Sequence, residues 1–414
     1  MGTSAVVTNQ LSLREVLRIR AVRQMWFALI ISSFGDFLAL FAVLSVVSFK
    51  MNAAAEQITW VQIASLLPPV LIGPVAGVFV DRWPLKSTLV SSDLIRVFLT
   101  LLLLGSTQLW QFCLIMVLMS IVGVFFGPAQ QCTIRTSVPP EGIMATSAVM
   151  QQSSALISII APGAAGLLVA SFGAVSCYLI DAASFLASAI LIGSIAIRKR
   201  EASTQDAPED TASGVRKVWL DMRQGFRFIV HHRAILFVTV ALAAAVFTLG
   251  CFGPLIAVYV RESLHGATRL FGIVSSMIGA GILLGFVIVQ KLAKTYSNKT
   301  LVFGGLTCMS AGFLTLSLVP VLAATIVAAL AIGFSVAAIL LPGQTLVQQD
   351  TPEELMGRVS STGMSIVFGA QVLGLFVSGV MTKFMGVRQV FLVSACFLLG
   401  LVFLGRFALR GKSA

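Results

Sequence analysis

Ionisable side chains are scarce inside the apolar runs of this chain, so each one found there needs a chemical role or a partner. Asp36 lies about halfway along an apolar run, roughly 18 Å from its start at about 1.5 Å per residue. Two roles fit a carboxylate at that depth. It can bind and release protons, or contact substrate, as a cavity opens and closes. It can also be structural, bonded to Ser or Gln of a neighbouring helix. Asp93 and Arg96 are three residues apart, on one helical face and within reach of each other. Asp181 shares a face with Ser184 and Ser188. Gln130, Gln131, Gln151, Gln152, Gln344 and Gln371 are neutral donors and acceptors, suited either to lining a cavity for a large amphiphile or to joining helices. His231, His232 and His265 fall in expected loops and assemble neither a metal site nor a hydrolytic triad. The chain carries no Gly-rich phosphate loop. These residues point away from an enzyme and call for no cofactor.

The elements that position these residues follow from composition. The chain has 414 residues, 57% hydrophobic and 11% charged, with a mean hydropathy of +0.98. Soluble domains carry about 25% charged residues, so this is an all-α integral membrane protein. Apolar runs long enough for a roughly 30 Å hydrocarbon core recur near 25–49, 57–80, 88–108, 111–133, 143–171 and 174–197. A second set lies near 234–260, 269–292, 300–319, 321–343, 359–382 and 388–408. That predicts twelve transmembrane helices, with 25–197 and 234–408 as two six-helix bundles. The first run is too long for a cleavable signal peptide and no small-residue cleavage site follows it. The six scattered cysteines read as packing residues rather than a disulfide framework.

Lys and Arg set the orientation. Of the 28, counting the N-terminus as inside puts 22 on the inner side and 5 on the outer, with Arg96 within a span. Both termini, residues 1–24 and the tail 409–414, are therefore expected in the cytoplasm. The +12 charge is spread over many membrane-facing loops, which argues against nucleic acid as a partner. Residues 11–23 alternate Leu, Val and Ile with arginines, as an interfacial helix does. The segment 198–233 is a cytoplasmic linker. Its middle, EASTQDAPEDTASG, is flexible by composition, and VRKVWLDMRQGFRFIVHH suggests a second surface-lying helix.

The two halves echo each other. Pro128 and Gln130 near the end of helix 4 match Pro342 and Gln344 near the end of helix 10, and Gly77 answers Gly285. Gly73 and Gly77, and Gly281 and Gly285, have the four-residue spacing of close helix contacts. The loop between helices 2 and 3 reads Gly77-Val-Phe-Val-Asp81-Arg82-Trp-Pro-Leu-Lys86. This Gly-x-x-x-Asp-Arg-x-x-x-Lys pattern resembles the signature of major facilitator superfamily transporters, with Leu85 replacing the usual second basic residue. Parallel six-helix repeats are the architecture of that superfamily. FGDFLALFAV at Phe34, SSDLIRVFL at Ser91, YLIDAASFLAS at Tyr178, MRQGFRFI at Met222 and DTPEELMGRVSS at Asp350 resemble its macrolide-efflux and secretion-effector branch.

The resemblance implies a secondary active transporter working by alternating access, a proton-coupled exporter of drug-like or siderophore-like amphiphiles. It implies a monomer in the plasma (inner) membrane, with protons, a small amphiphilic substrate and the lipid bilayer as partners. It makes Gly77, Asp81, Arg82, Lys86, Asp93 and Arg96 an inner gate, with Asp93 and Arg96 networked to Arg82. APGAAGLL from Ala161 partly resembles an antiporter motif, with Pro162 and Gly166 forming a helix kink. The first-helix stretch also resembles bacterial lysophospholipid transporters, which keeps a lipid flippase as an alternative. A transporter-like sensor or scaffold is the remoter one.

Overall fold

Backbone groups in hydrocarbon must bond within their own segment, so long apolar runs fold as helices. The computed structural model describes residues 13–80, 83–195 and 211–410, and among them there are helices and no strands. Twelve long helices account for most of the chain. In the first half they are α1 (Arg20–Ser45), α2 (Ala55–Val80), α3 (Leu85–Leu102), α4 (Leu109–Ser137), α5 (Pro140–Phe172) and α6 (Ala174–Gly193). A linker helix, Thr211–His231, precedes α7 (Arg233–Glu262), α8 (Thr268–Leu292), α9 (Asn298–Leu318), α10 (Leu322–Asp350), α11 (Glu353–Phe384) and α12 (Val387–Arg410). Ten of the twelve are long and apolar enough to cross a membrane over their described residues. The other two, α2 and α5, are 26 and 33 residues long.

Local chemistry sets the ends. Pro139 and Pro140 open α5, where a missing N–H costs nothing. Gln108 and Gln111 form a reciprocal capping box at the start of α4. Ser297 accepts from the Thr300 N–H at the start of α9. Gly173 turns the chain between α5 and α6 at φ 79°, a backbone region that side chains disfavour. Two sequence expectations need correction. The interfacial helix expected over 11–23 is a four-residue turn, Leu13–Val16, because Ile19 is extended and α1 already begins at Arg20. His231 belongs to the last turn of the linker helix rather than to a loop.

Helix packing repeats between the halves. In the first half α1 packs on α5 and α6, α4 on α2 and α3, and α3 on α6. In the second, α7 packs on α11 and α12, α10 on α8 and α9, and α9 on α12. Across the halves α2 meets α11 and α5 meets α8. The linker helix lies against α11, with Gly225 pressed on the Arg358 carbonyl. Lipid gives packed helices no hydrophobic advantage over dispersed ones, so close approach has to come from small residues. At Gly281 and Gly285 an added Cβ would overlap the backbone of α10, whereas Gly73 faces open space.

The ends of the helices are named by the linker helix. Contacts joining the two halves cluster at the end remote from it, the far end. Phe41 and Phe271 stack at 4.3 Å, and Trp60 meets Phe376 edge-on at 6.0 Å. The Arg261 guanidinium donates to the carbonyls of Ser48 (2.5 Å) and Ala53 (2.9 Å). Ser45 donates to Thr268 at 3.1 Å, and Lys383 pairs with Glu56 at 2.9 Å.

Candidate transport site: a buried charge cluster in the first half

Three helices bring their ionisable side chains to one place. Asp36 is mid-way along α1, Asp93 and Arg96 lie on α3, and Asp181 lies on α6. Arg96 is buried at 6% exposure. Its Nη1 is 3.8 Å from Asp36 Oδ2 and 4.0 Å from Asp93 Oδ1. The guanidinium sits between the rings of Phe126 on α4 (4.8 Å) and Phe185 on α6 (5.0 Å). Ring faces of this kind attract a cation, more strongly where water is excluded. Arg96 Nε and Asp93 Oδ1 have no hydrogen-bond partner.

The carboxylates differ in surroundings. Asp93 is fully buried, and its Oδ2 accepts from Ser188 at 2.6 Å, the length of a charge-assisted O–H bond. Asp181 is also fully buried and accepts from Thr100 at 3.0 Å and from Ser184 at 3.5 Å. Asp36 keeps 46% of its side-chain surface accessible, so it borders open space although it lies at mid-helix. Gly35 makes the arrangement feasible. A Cβ there would overlap Ser184 Oγ and lie 2.5 Å from Asp181 Oδ1, so α1 runs directly against the polar face of α6.

The sequence reading kept Asp36 apart from the Asp93–Arg96 pair and linked that pair to Arg82. In the structure the described partners of Asp93 and Arg96 are Asp36 and Ser188, because Arg96 reaches across to α1. Asp81 and Arg82 lie outside the described residues. Gly77 lies near the end of α2. Lys86 donates to the carbonyl of Ile195, just past the end of α6, at 3.0 Å, where a cation also suits the helix dipole. The signal for the cluster was available in one fact: an arginine within a span requires an acid nearby, and Asp36 is the mid-span acid of α1.

The amides are dispersed. Gln130 on α4 has a buried Nε2 without a partner, Gln371 on α11 is half-buried, and Gln151 on α5 and Gln344 on α10 are exposed. Sequence reasoning missed Gln62, whose Oε1 would lie 2.8 Å from a Cβ at Gly253, where α2 faces α7. Pro162 and Gly166 lie on the α5–α8 seam. A Cβ at Gly166 would be 2.5 Å from the Gly272 Cα, so the seam is a backbone-to-backbone crossing. At the far end, the hydrogen bond from Lys383 holds the Glu56 carboxyl below the usual glutamate range. Among the described residues, no group of three or more His, Cys, Asp or Glu is placed to hold a metal ion.

Long apolar helices in two like-packed sets, with a charge cluster buried in the first, suit a membrane transporter. Residues 25–374 match the family model of the Major Facilitator Superfamily. The chain belongs to that family, and it is a transporter rather than an enzyme. It is similar to the MFS-type transporter YfiS of Bacillus subtilis, 27% identical over 92% of this chain and 91% of that one. It is also similar to macrolide efflux protein A of Streptococcus pyogenes, 23% identical over 83% and 85%. Among solved structures, the nucleoside transporter NupG superposes with a TM-score of 0.74 at 14% identity, over 95% of this chain and all of that one.

Proposed function

We propose that the chain is a proton-coupled exporter of amphiphilic small molecules, with Asp36 as its coupling carboxylate. The observation that carries this reading is the Asp36–Arg96 contact: a mid-membrane ion pair whose arginine is sealed between two rings while its acid stays accessible. A proton arriving at Asp36 cancels its charge and leaves Arg96 to Asp93. That loosens α1 from α3 and changes how the accessible space holds an amphiphile. The contacts at the far end fit one limb of an alternating cycle, closed on that side. The excess of Lys and Arg at the linker end supports a cytoplasmic position for that end. In the other limb, Asp81, Arg82 and Lys86 would latch the linker end. The similarity to a macrolide efflux protein supports export, and the amides on α4, α5, α10 and α11 suit a large polar-and-apolar cargo.

A second reading has one observation of its own. A cavity of about 350 Å³ lies between α3 and α4 near the linker end, lined by Trp83, Ser87, Ser91, Ile95 and Phe125 among others. A groove with aromatic walls and a hydroxyl stripe suits a single-tailed lipid, the cargo of a flippase. Proteoliposomes separate the two. An imposed pH gradient is expected to drive efflux of an amphiphilic fluorescent dye by the native protein, and Asp36→Asn to abolish the coupling. Movement of labelled lysophospholipid without a gradient, and no movement of dye, would overturn the exporter reading in favour of the flippase.

A further inference from the structure

Three carboxylates and one guanidinium share the α1–α3–α6 core, and one of the acids, Asp181, has no cation within ion-pair distance among the described residues. Arg96 is within 4.0 Å of Asp36 and of Asp93. Among the described residues Asp181 forms no ion pair, and it is fully buried. A lone ionised carboxylate in such a place is far costlier than its neutral acid. We infer that Asp181 carries a proton in this conformation and is a second proton-binding carboxyl of the coupling site, behind Asp36 across the α1–α6 seam. The inference rests on the proton-coupled reading above and deepens it.

The hydrogen-bond geometry accommodates that proton. The Thr100 hydroxyl has two acceptors in reach, Asp181 Oδ2 at 3.0 Å and Met119 Sδ at 4.0 Å. When it turns to the sulfur, its lone pairs face Asp181, and a carboxylic O–H there donates to Thr100 Oγ1. Asp93 has no matching arrangement. Ser188 donates to it at a charge-assisted distance and Arg96 lies on its other oxygen, both of which favour the ionised form. Among the described residues, the charged groups near Asp181 are those already named. Asp36 comes from α1, and Asp93 and Arg96 come from α3. The one charged residue of α5, Glu141, is in its first turn at the linker end. On α6 itself, Cys177 and Tyr178 are about one turn away. The three acids thus have distinct duties: Asp93 is the fixed counter-ion, Asp36 the exchangeable partner of Arg96, and Asp181 the acid that holds its proton while Asp36 is paired.

Infrared spectroscopy of the full chain in lipid nanodiscs tests this without a transported substrate, so its outcome is separate from that of the efflux assay. The native protein at pH 7 is expected to show the C=O stretch of a buried carboxylic acid, downshifted in D₂O. Asp181→Asn should remove the band and Asp36→Asn should keep it. A band that survives Asp181→Asn, or a native protein without one, overturns the inference. If Asp181→Asn does not fold, Thr100→Val serves instead. Losing the acceptor should move the band to higher wavenumber, and an unmoved band overturns the assignment. A transport readout completes the test. Two proton sites give dye efflux a steeper pH dependence than one, and Asp181→Asn should reduce the slope to that of a single proton. An unchanged slope with lower amplitude would make Asp181 structural only.

Discussion

Replacing Arg96 by methionine keeps a long side chain between Phe126 and Phe185 but removes the one cation of the cluster. At an effective dielectric of about 20, charges near 4 Å attract by about 4 kcal/mol. Arg96 makes two such contacts, at 3.8 and 4.0 Å. Much of that gain offsets the cost of taking the guanidinium out of water, so the pair sum is not the net effect. The relevant quantity is the carboxylate left behind, for which breaking a buried pair costs about 3–5 kcal/mol. The sign with pH follows. The loss grows as pH rises above the ordinary aspartate value of about 3.9, because Asp36 and Asp93 must then either stay charged without their cation or be held neutral against the solution pH. It is therefore larger at pH 8 than at pH 5. Thermal unfolding of the purified protein, followed by tryptophan fluorescence at both pH values, should show a drop of about 5 °C at pH 8 and a smaller one at pH 5. Adding Asp93→Asn to Arg96→Met should recover part of the loss at pH 8. Equal destabilisation at both pH values, or a double variant no better than the single, would refute the charge argument and leave Arg96 as a packing residue.

Gly35→Ala places a methyl group against Ser184 and Asp181; overpacking of this kind costs about 1–3 kcal/mol, so its unfolding temperature should fall, and an unchanged value would mean that α1 and α6 separate freely. Arg261→Ala frees the carbonyls of Ser48 and Ala53. A cysteine introduced at Ser45 should then react faster with a membrane-impermeant thiol reagent, and an unchanged rate would show that Arg261 does not hold the far end shut. Lys383 and Glu56 are 53% and 34% exposed, so their pair should respond strongly to salt. Lys383 lowers the affinity of Glu56 for protons, so the pair's contribution to closure is present above the ordinary glutamate value of about 4.3 and is lost as pH falls through the lower folded-state value. Glu56→Gln should remove that acid-side change in the reactivity of the same cysteine.

Hydropathy alone located the long helices, because a segment in hydrocarbon has few alternatives to helix, and loop charges fall between the apolar runs. The ends were less legible. Arg20 and Arg23 read as part of a surface helix, yet they form the first turn of α1, because arginine stems can lie along apolar surface while their heads reach water. The repeat was visible as Pro128 and Pro342, which recur inside α4 and α10. What the sequence hid was proximity. Asp36, Arg96 and Asp181 are separated by tens of residues, and only the packing of α1, α3 and α6 brings them together. Periodicity groups residues within one helix; it does not say which face of a second helix they meet. For the same reason Gly166 reads in the sequence only as part of a helix kink with Pro162, while its partner Gly272 is apparent only once α5 crosses α8.

The acceptors of Arg261 are main-chain carbonyls. Any residue at positions 48 and 53 presents the same two oxygens, so the first-half side of this contact, in the connection between α1 and α2, can drift in sequence without losing it. Heritable loss must come from Arg261 itself or from a change in backbone path such as the π-helical turn Val46–Lys50. Second-site suppressors of a far end that opens too readily should therefore map to the side chains of the second half, with few on the α1–α2 connection that the guanidinium grips.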